Sequence, residues 1–302
     1  MTAAAEPITD EYRFPLHESE VRRFAEASWD SNPAYRYGSD GEQVMVPPTF
    51  ACCAATLSGR AHSLEALGFD VSRAFHGTET ITLTAPLTAD TVLTVHESTT
   101  RLLAVRGRRG GTMERALRRS DLVDDSGAHL GYTTRVLLEA DRVLSAERPG
   151  HVTTFDDGLR LRADPVEYSP REASTFRPGV TIGEAHFGPL TRTDFVRYAA
   201  ASGDLTAIHF DEYAARASGY PTTFAMGMLS AAFVGHVLSN WVVLSTPSTL
   251  AVRFREQVWP GDTLRITGTV AEQTTHATRV DVSCTVNGIV VTTAQLDLAR
   301  CV

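Results

Sequence analysis

The chain has 302 residues, a formal net charge of −8, and 43% hydrophobic against 21% charged residues. This is an ordinary globular composition with room for two domains of common size, and the acidic balance argues against a nucleic-acid partner. No apolar run reaches the length of a membrane span, and the N-terminal stretch MTAAAEPITDEYR lacks the basic flank and apolar core of a secretory signal, so no membrane partner and a cytoplasmic protein are expected.

Read in order, the chain repeats itself. When Pro15 is laid on Pro189, the stretch to Cys53 falls on the stretch to Gly227 without a gap. Eleven of thirty-nine positions are then identical, among them Arg23/Arg197, Ala25/Ala199, Ser28/Ser202, Asp30/Asp204, Thr49/Thr223 and Phe50/Phe224. Two copies of one unit are therefore expected. In the first copy, Pro47-Pro48-Thr49-Phe50 leads into a helix lightened by Ala51, Ala54, Ala55, Ser58, Gly59 and Ala61, which leaves space beside it. Glu79–Thr84, Asp90–Val95, a segment around Arg101–Val105, and Leu130–Leu138 follow with the two-residue alternation of half-buried strands.

A basic run interrupts this copy: Arg106-Gly107-Arg108-Arg109-Gly110-Gly111, continuing to Arg115, Arg118 and Arg119. It lacks the lysine and hydroxyl of a phosphate-cradling loop, and no aromatics are interleaved for nucleic-acid bases. It reads either as a solvated hairpin tip or as a patch whose guanidinium forks suit phosphates or an acidic surface.

From about Glu139 to Pro178 the chain is rich in turn signals, with ERPGH, DDG, ADP and SPR. Residues 141–178 are read as a linker, part of it packed across the sheets. In the second copy, Asp194–Ala201 predicts a short amphipathic helix ended by Gly203 in the left-handed conformation. Asp211 and Glu212 predict the cap and first turn of another that stops at Gly219. A third, from about Phe224 to Val242, carries Met228, Leu229, Ala232, Phe233, Val237 and Leu238 and so little charge that other structure must wrap it. Thr249–Val258, Asp262–Val270, Ala277–Val286 and Ile289–Leu298 alternate as strands, with the hairpin signal Asn287-Gly288 between the last two. Each copy is thus a buried helix wrapped by an antiparallel sheet. The expected fold is α+β, a double hot-dog, with an N-terminal unit over 1–140 and a C-terminal unit over 179–302 joined edge to edge.

The second copy concentrates the chemistry. Asp204 and His209 fall on one loop between helices, where both can turn toward a common point. Gly227 opens the long helix, where a ligand can approach the backbone and unbonded N–H groups can meet a developing oxyanion. An acid, an imidazole and an oxyanion-binding backbone are the parts needed to move a proton beside a carbonyl and to add or remove water. The first copy keeps only Asp30, with Tyr35 and Cys53 at the positions of His209 and Gly227, so one active site per chain is expected and Asp30 is read as a turn carboxylate.

Tyr198-Ala199, Ser202-Gly203-Asp204, Ile208-His209 and Gly227-Met228-Leu229 resemble the hydratase motif of the MaoC-like (R)-specific enoyl hydratases and 3-hydroxyacyl dehydratases. The resemblance implies a catalytic pair at Asp204 and His209 and a thioester oxygen held by the Gly227 N–H. It also implies a hydro-lyase that interconverts (R)-3-hydroxyacyl and trans-2-enoyl thioesters, a double hot-dog with a degenerate first half, and an acyl-coenzyme A or acyl carrier protein substrate, which Arg106, Arg108 and Arg109 would dock. The space in the first half would then take an acyl tail. Two departures stand out: Thr206-Ala207 where the family has Asn-Pro, and Met226-Gly227 where it has His-Gly.

No metal or cofactor is expected, since Cys52, Cys53, Cys284 and Cys301 have no ligand spacing. His186, His236, His276 and Tyr198 are read as core or surface residues, and Ser202 as a cap. A homodimer stays open. Two alternatives are carried: a hot-dog thioesterase, which would need a carboxylate on the long helix where this chain has none, and a non-catalytic acyl-binding subunit.

Overall fold

The computed structural model describes residues 6–38, 43–60, 63–107, 111–140 and 165–299. The strands are β1 (Ile8–Pro15), β2 (Ala74–Leu83), β3 (Val92–Arg106), β4 (Thr112–Val123), β5 (His129–Ala140), β6 (Thr181–Phe187), β7 (Ser248–Phe254), β8 (Leu264–Gln273), β9 (Ala277–Val286) and β10 (Ile289–Ala299). They form one ten-stranded sheet in the order β1-β3-β4-β5-β2-β7-β10-β9-β8-β6, each neighbouring pair antiparallel. Each half places its five strands in the same relative order, mirrored about the β2–β7 seam. That seam, from Thr78 opposite Arg253 to Leu83 opposite Ser248, pairs two edges that would otherwise present unbonded N–H and C=O groups. This is the edge-to-edge α+β double hot-dog expected from the repeat.

Among the described residues, seven α-helices accompany the sheet. The first half has α1 (Glu18–Ala27), α2 (Pro33–Arg36), α3 (Ala54–Leu57) and α4 (Ser63–Ala66), and the second has α5 (Arg192–Ser202), α6 (Glu212–Ala217) and α7 (Gly227–Trp241). In α7, every residue after Gly227 is buried, as the uncharged sequence requires of a helix enclosed by a sheet. The two copies meet through α1 and α5, where Phe24 and Tyr198, aligned in the repeat, pack ring to ring at 5.6 Å.

The expected matching helix of the first half is the main departure. Pro48–Cys53 is a 3₁₀ turn that runs into the four residues of α3, and the chain turns away at Gly59 with φ of 65°. Two prolines at the start and a left-handed glycine at the end leave too few residues for a second α7. The short helix leaves part of the first sheet uncovered.

The strands are also longer than the alternation suggests. Asp90–Val95 and Arg101–Val105 fall in one strand, β3, and Asp90 itself sits in the turn before it at φ of 61°. β1, β4 and β6 were not anticipated. In β4 the residues read as a continuing basic run alternate faces, so Arg118 is buried while Arg119 stacks on the Tyr132 ring at 3.8 Å. Arg106 is exposed at the end of β3, while Arg108, Arg109 and most of the expected linker lie outside the described residues. No described helix is long and apolar enough to cross a membrane.

Candidate active site

The helix that leads into the Asp204 loop, α5, is fixed at both ends. At the start of α5, Thr191 and Asp194 form a capping box, with Asp194 Oδ2 accepting from the Thr191 N–H at 2.8 Å, which satisfies donors that a helix start leaves unbonded. At its end Gly203 adopts φ of 70°. A Cβ there would come within 2.9 Å of the Leu57 backbone nitrogen, so the glycine is needed both for the turn and for close contact with α3 of the first half. Thr56 clamps the same point by donating to the Ser202 carbonyl at 2.6 Å. The loop therefore leans on the other copy. Ser202 donates back to the Tyr198 carbonyl and accepts weakly from the Asp204 N–H, in keeping with a cap.

Thr206, one of the departures from the family motif, donates to Asp204 Oδ1 at 2.6 Å, and its own N–H approaches the same oxygen at 3.3 Å. A hydroxyl thus orients the carboxylate. A 3₁₀ turn over Ala207–His209 then drives His209 inward, where its ring is buried and meets the Phe224 ring edge to face at 5.0 Å. Nδ1 lies 2.8 Å from the Phe224 carbonyl oxygen. A carbonyl only accepts, so Nδ1 carries the proton and Nε2 keeps the lone pair. Burial lowers the His209 pKa below its usual 6.5, against the opposing pull of Asp204 and the Phe224 carbonyl, and the ring is neutral at pH 7. Asp211 caps α6 through Tyr213 and Ala214 as expected.

Gly227 is the first residue of α7 and its sole partly exposed one, and Met226 before it supplies no side-chain cap. The Leu229 amide donates to the Met226 carbonyl at 3.1 Å, and those of Gly227 and Met228 before it have no acceptor within the helix. A Cβ on Gly227 would stand 3.1 Å from the Phe254 ring, so the glycine lets that ring lie against the helix start. Tyr198, a buried core residue as expected, also donates from its hydroxyl to the Met228 carbonyl at 3.0 Å and ties α5 to this turn.

Asp204, His209 and Gly227 line one cavity of about 710 Å³. Its far wall comes from the first half and includes Thr56, Leu64, Val71, Leu137 and Leu138, in the space left by the short α3. Arg253 and Arg255 stand exposed at its edge. Arg106 is not among its described lining residues, and Arg108 and Arg109 lie outside the described residues.

The degenerate counterpart is closed. Tyr35 and Cys53 are buried, and Asp30 accepts from the Asn32 N–H at 2.9 Å, as a turn carboxylate does. His236 sits beside Asp30 in the core, with Nδ1 3.2 Å from the Ser28 carbonyl oxygen.

Three residues of this cavity region were not singled out in the sequence. Glu79 of β2, opposite Arg135 of β5 in register, is fully buried and accepts from Arg135 Nε at 2.7 Å. His76 Nε2 approaches the same carboxylate oxygen at 3.0 Å. Burial alone would raise the Glu79 pKa, but Arg135 and His76 hold it below the usual value. The His76 pKa is lowered by burial and by Arg135, and Asp204 is near enough to act on both His76 and Arg135. Their signal was available: Glu79 alternates with Ile81 and Leu83, so a charge stood in the core-facing register of a strand.

Residues 171–292 match the MaoC like domain, and residues 5–131 match the FAS1-like dehydratase domain region. A UPF0336 protein of Thermobifida fusca is 28% identical over 124 residues, 39% of this chain and 78% of its own. A structure described as a MaoC-like dehydratase superposes with a TM-score of 0.75 at 18% identity, covering 96% of this chain and 97% of its own. A conserved hypothetical protein of Mycobacterium tuberculosis, described as having a double hotdog fold, gives 0.58 at 13% identity, covering 98% and 97%. The chain thus carries a MaoC-like domain in its second half and a FAS1-like dehydratase region in its first, within one double hot-dog.

Proposed function

We propose that the protein is a hydro-lyase that interconverts (R)-3-hydroxyacyl and trans-2-enoyl thioesters. The observation that carries this is the convergence of Asp204, His209 Nε2 and the uncapped start of α7 at Gly227 on one cavity. In hydration, Asp204 and neutral His209 share the activation of water that attacks C3 and the delivery of a proton to C2. In dehydration, they take the C2 proton and protonate the departing hydroxyl. The thioester oxygen, which gains charge as C2 takes on carbanion character, is met by the Gly227 amide, aided by the positive end of α7. The acyl group occupies the far wall, and Arg253 and Arg255 offer guanidinium groups to the phosphates of coenzyme A or of a carrier protein's prosthetic arm. Among the described residues neither arginine pairs with a carboxylate. α7 carries no carboxylate, which disfavours the thioesterase alternative.

The test is loss of the enoyl-thioester absorbance on mixing with crotonyl-coenzyme A, with the thioester bond intact. Asp204→Asn and His209→Ala should each lower kcat by at least 100-fold while keeping the wild-type circular dichroism and melting behaviour. Full turnover in both variants would overturn the assignment.

A further inference from the structure

Arg135 lines the cavity, yet it is tied to protein through only part of its donor set. Nε donates to Glu79 Oε2 at 2.7 Å and Nη2 to the Cys52 carbonyl at 3.2 Å. A guanidinium has five N–H groups, and no other acceptor meets those of Arg135 among the described residues. Arg118, which also lines the cavity, differs in being engaged by Glu97 and Ser63. Arg135 also stands close to the Asp204 site: His76 beside it packs at a tilt against Phe254, 4.8 Å between centroids, and the same Phe254 ring lies against Gly227. A binding group here is one aromatic ring away from the start of α7.

We propose that Arg135, held by Glu79 and flanked by His76, is a specificity subsite that recognises a neutral oxygen, a ketone or hydroxyl, on the acyl group a few bonds beyond the thioester. A plain alkyl chain lying against it would leave N–H donors of a charged group covered and unbonded, which is costly. A carboxylate is disfavoured for the opposite reason. Glu79 already offsets the Arg135 charge and Asp204 is nearby, so at this end of the cavity, away from the exposed Arg253 and Arg255, a second anion finds no unbalanced positive charge. The proposal rests on the acyl-thioester reading of the same cavity and adds the acyl class.

The test is calorimetric binding of three saturated thioesters of similar length, hexanoyl-, 5-oxohexanoyl- and glutaryl-coenzyme A, to the full chain and to Glu79→Leu/Arg135→Met. The double substitution removes both charges and leaves no buried ion alone. In the wild type the oxo compound should bind about tenfold or more tighter than hexanoyl, with glutaryl weakest, and the double variant should lose the oxo preference while still binding hexanoyl. Should the double variant fail to fold, Arg135→Lys, which keeps the charge but not the fork, should lose most of the preference. Equal binding of oxo and alkyl chains by the wild type, tightest binding of glutaryl, an unchanged preference in the variants, or no binding of any thioester would overturn the subsite. Crotonyl-coenzyme A turnover is measured alongside. Oxo selectivity without turnover would overturn the hydro-lyase reading and leave the subsite standing.

Discussion

Replacing Arg135 by methionine should turn a stabilising cluster into a pH-dependent liability. The Glu79 carboxylate is fully buried, with Arg135 at 2.7 Å and His76 at 3.0 Å. Removing the guanidinium leaves a buried anion beside a neutral imidazole, and breaking such a pair costs about 3–5 kcal/mol. For a chain of this size that is a fall in Tm on the order of 10 °C. The sign of the pH dependence follows from the two titrations. In the wild type Glu79 has a lowered pKa, so its contribution is present above the unfolded carboxylate value and lost as pH falls through the folded one. In Arg135→Met, Glu79 or His76 must take up a proton to neutralise the site, so the folded state holds a proton that the unfolded chain releases. The variant should therefore lose stability as pH rises from 5.5 to 8, by up to about 1.4 kcal/mol per pH unit relative to wild type. Urea denaturation of both proteins at pH 5.5, 7 and 8 reads this directly. A loss under about 1 kcal/mol at pH 8, or one that does not shrink as pH falls, would refute the account of Glu79 as a charge that depends on Arg135.

Three further outcomes are expected. Because burial lowers the His209 pKa below 6.5, the acid limb of the kcat profile for hydration should fall below pH 6.5, and an acid limb above that value would contradict a buried neutral base. Thr206→Val, which removes the 2.6 Å hydrogen bond to Asp204, should lower kcat roughly tenfold or more with little change in melting temperature; unchanged kcat would show that Thr206 does not orient the carboxylate. Gly203→Ala places a Cβ at a positive φ and against Leu57, so it should cost about 1–2 kcal/mol or more in denaturant unfolding, and a neutral effect would mean that the loop does not depend on its seat against the first half.

Much of this molecule was legible in the sequence because its signals are local. The uncharged helix, the Gly203 terminator and the Asp211 cap each depend on residues close together in the chain and are found where the pattern put them, and the period-two alternation marks strands whose ends and number only the fold sets. The order of Asp204, His209 and Gly227 on a loop and a helix start was likewise readable. Only tertiary structure decided what these residues face. Nothing local says that Phe224 supplies the carbonyl that fixes the His209 tautomer, that Thr56 of the first half clamps the Asp204 loop, or that Arg135, far away in sequence, shares its cavity. The shortened α3 is the clearest case. Its small residues and flanking prolines hinted at slack, but that the slack becomes a cavity of about 710 Å³ beside the second copy's loop follows from the β2–β7 seam, which sets one half's shortened helix against the other half's Asp204 loop.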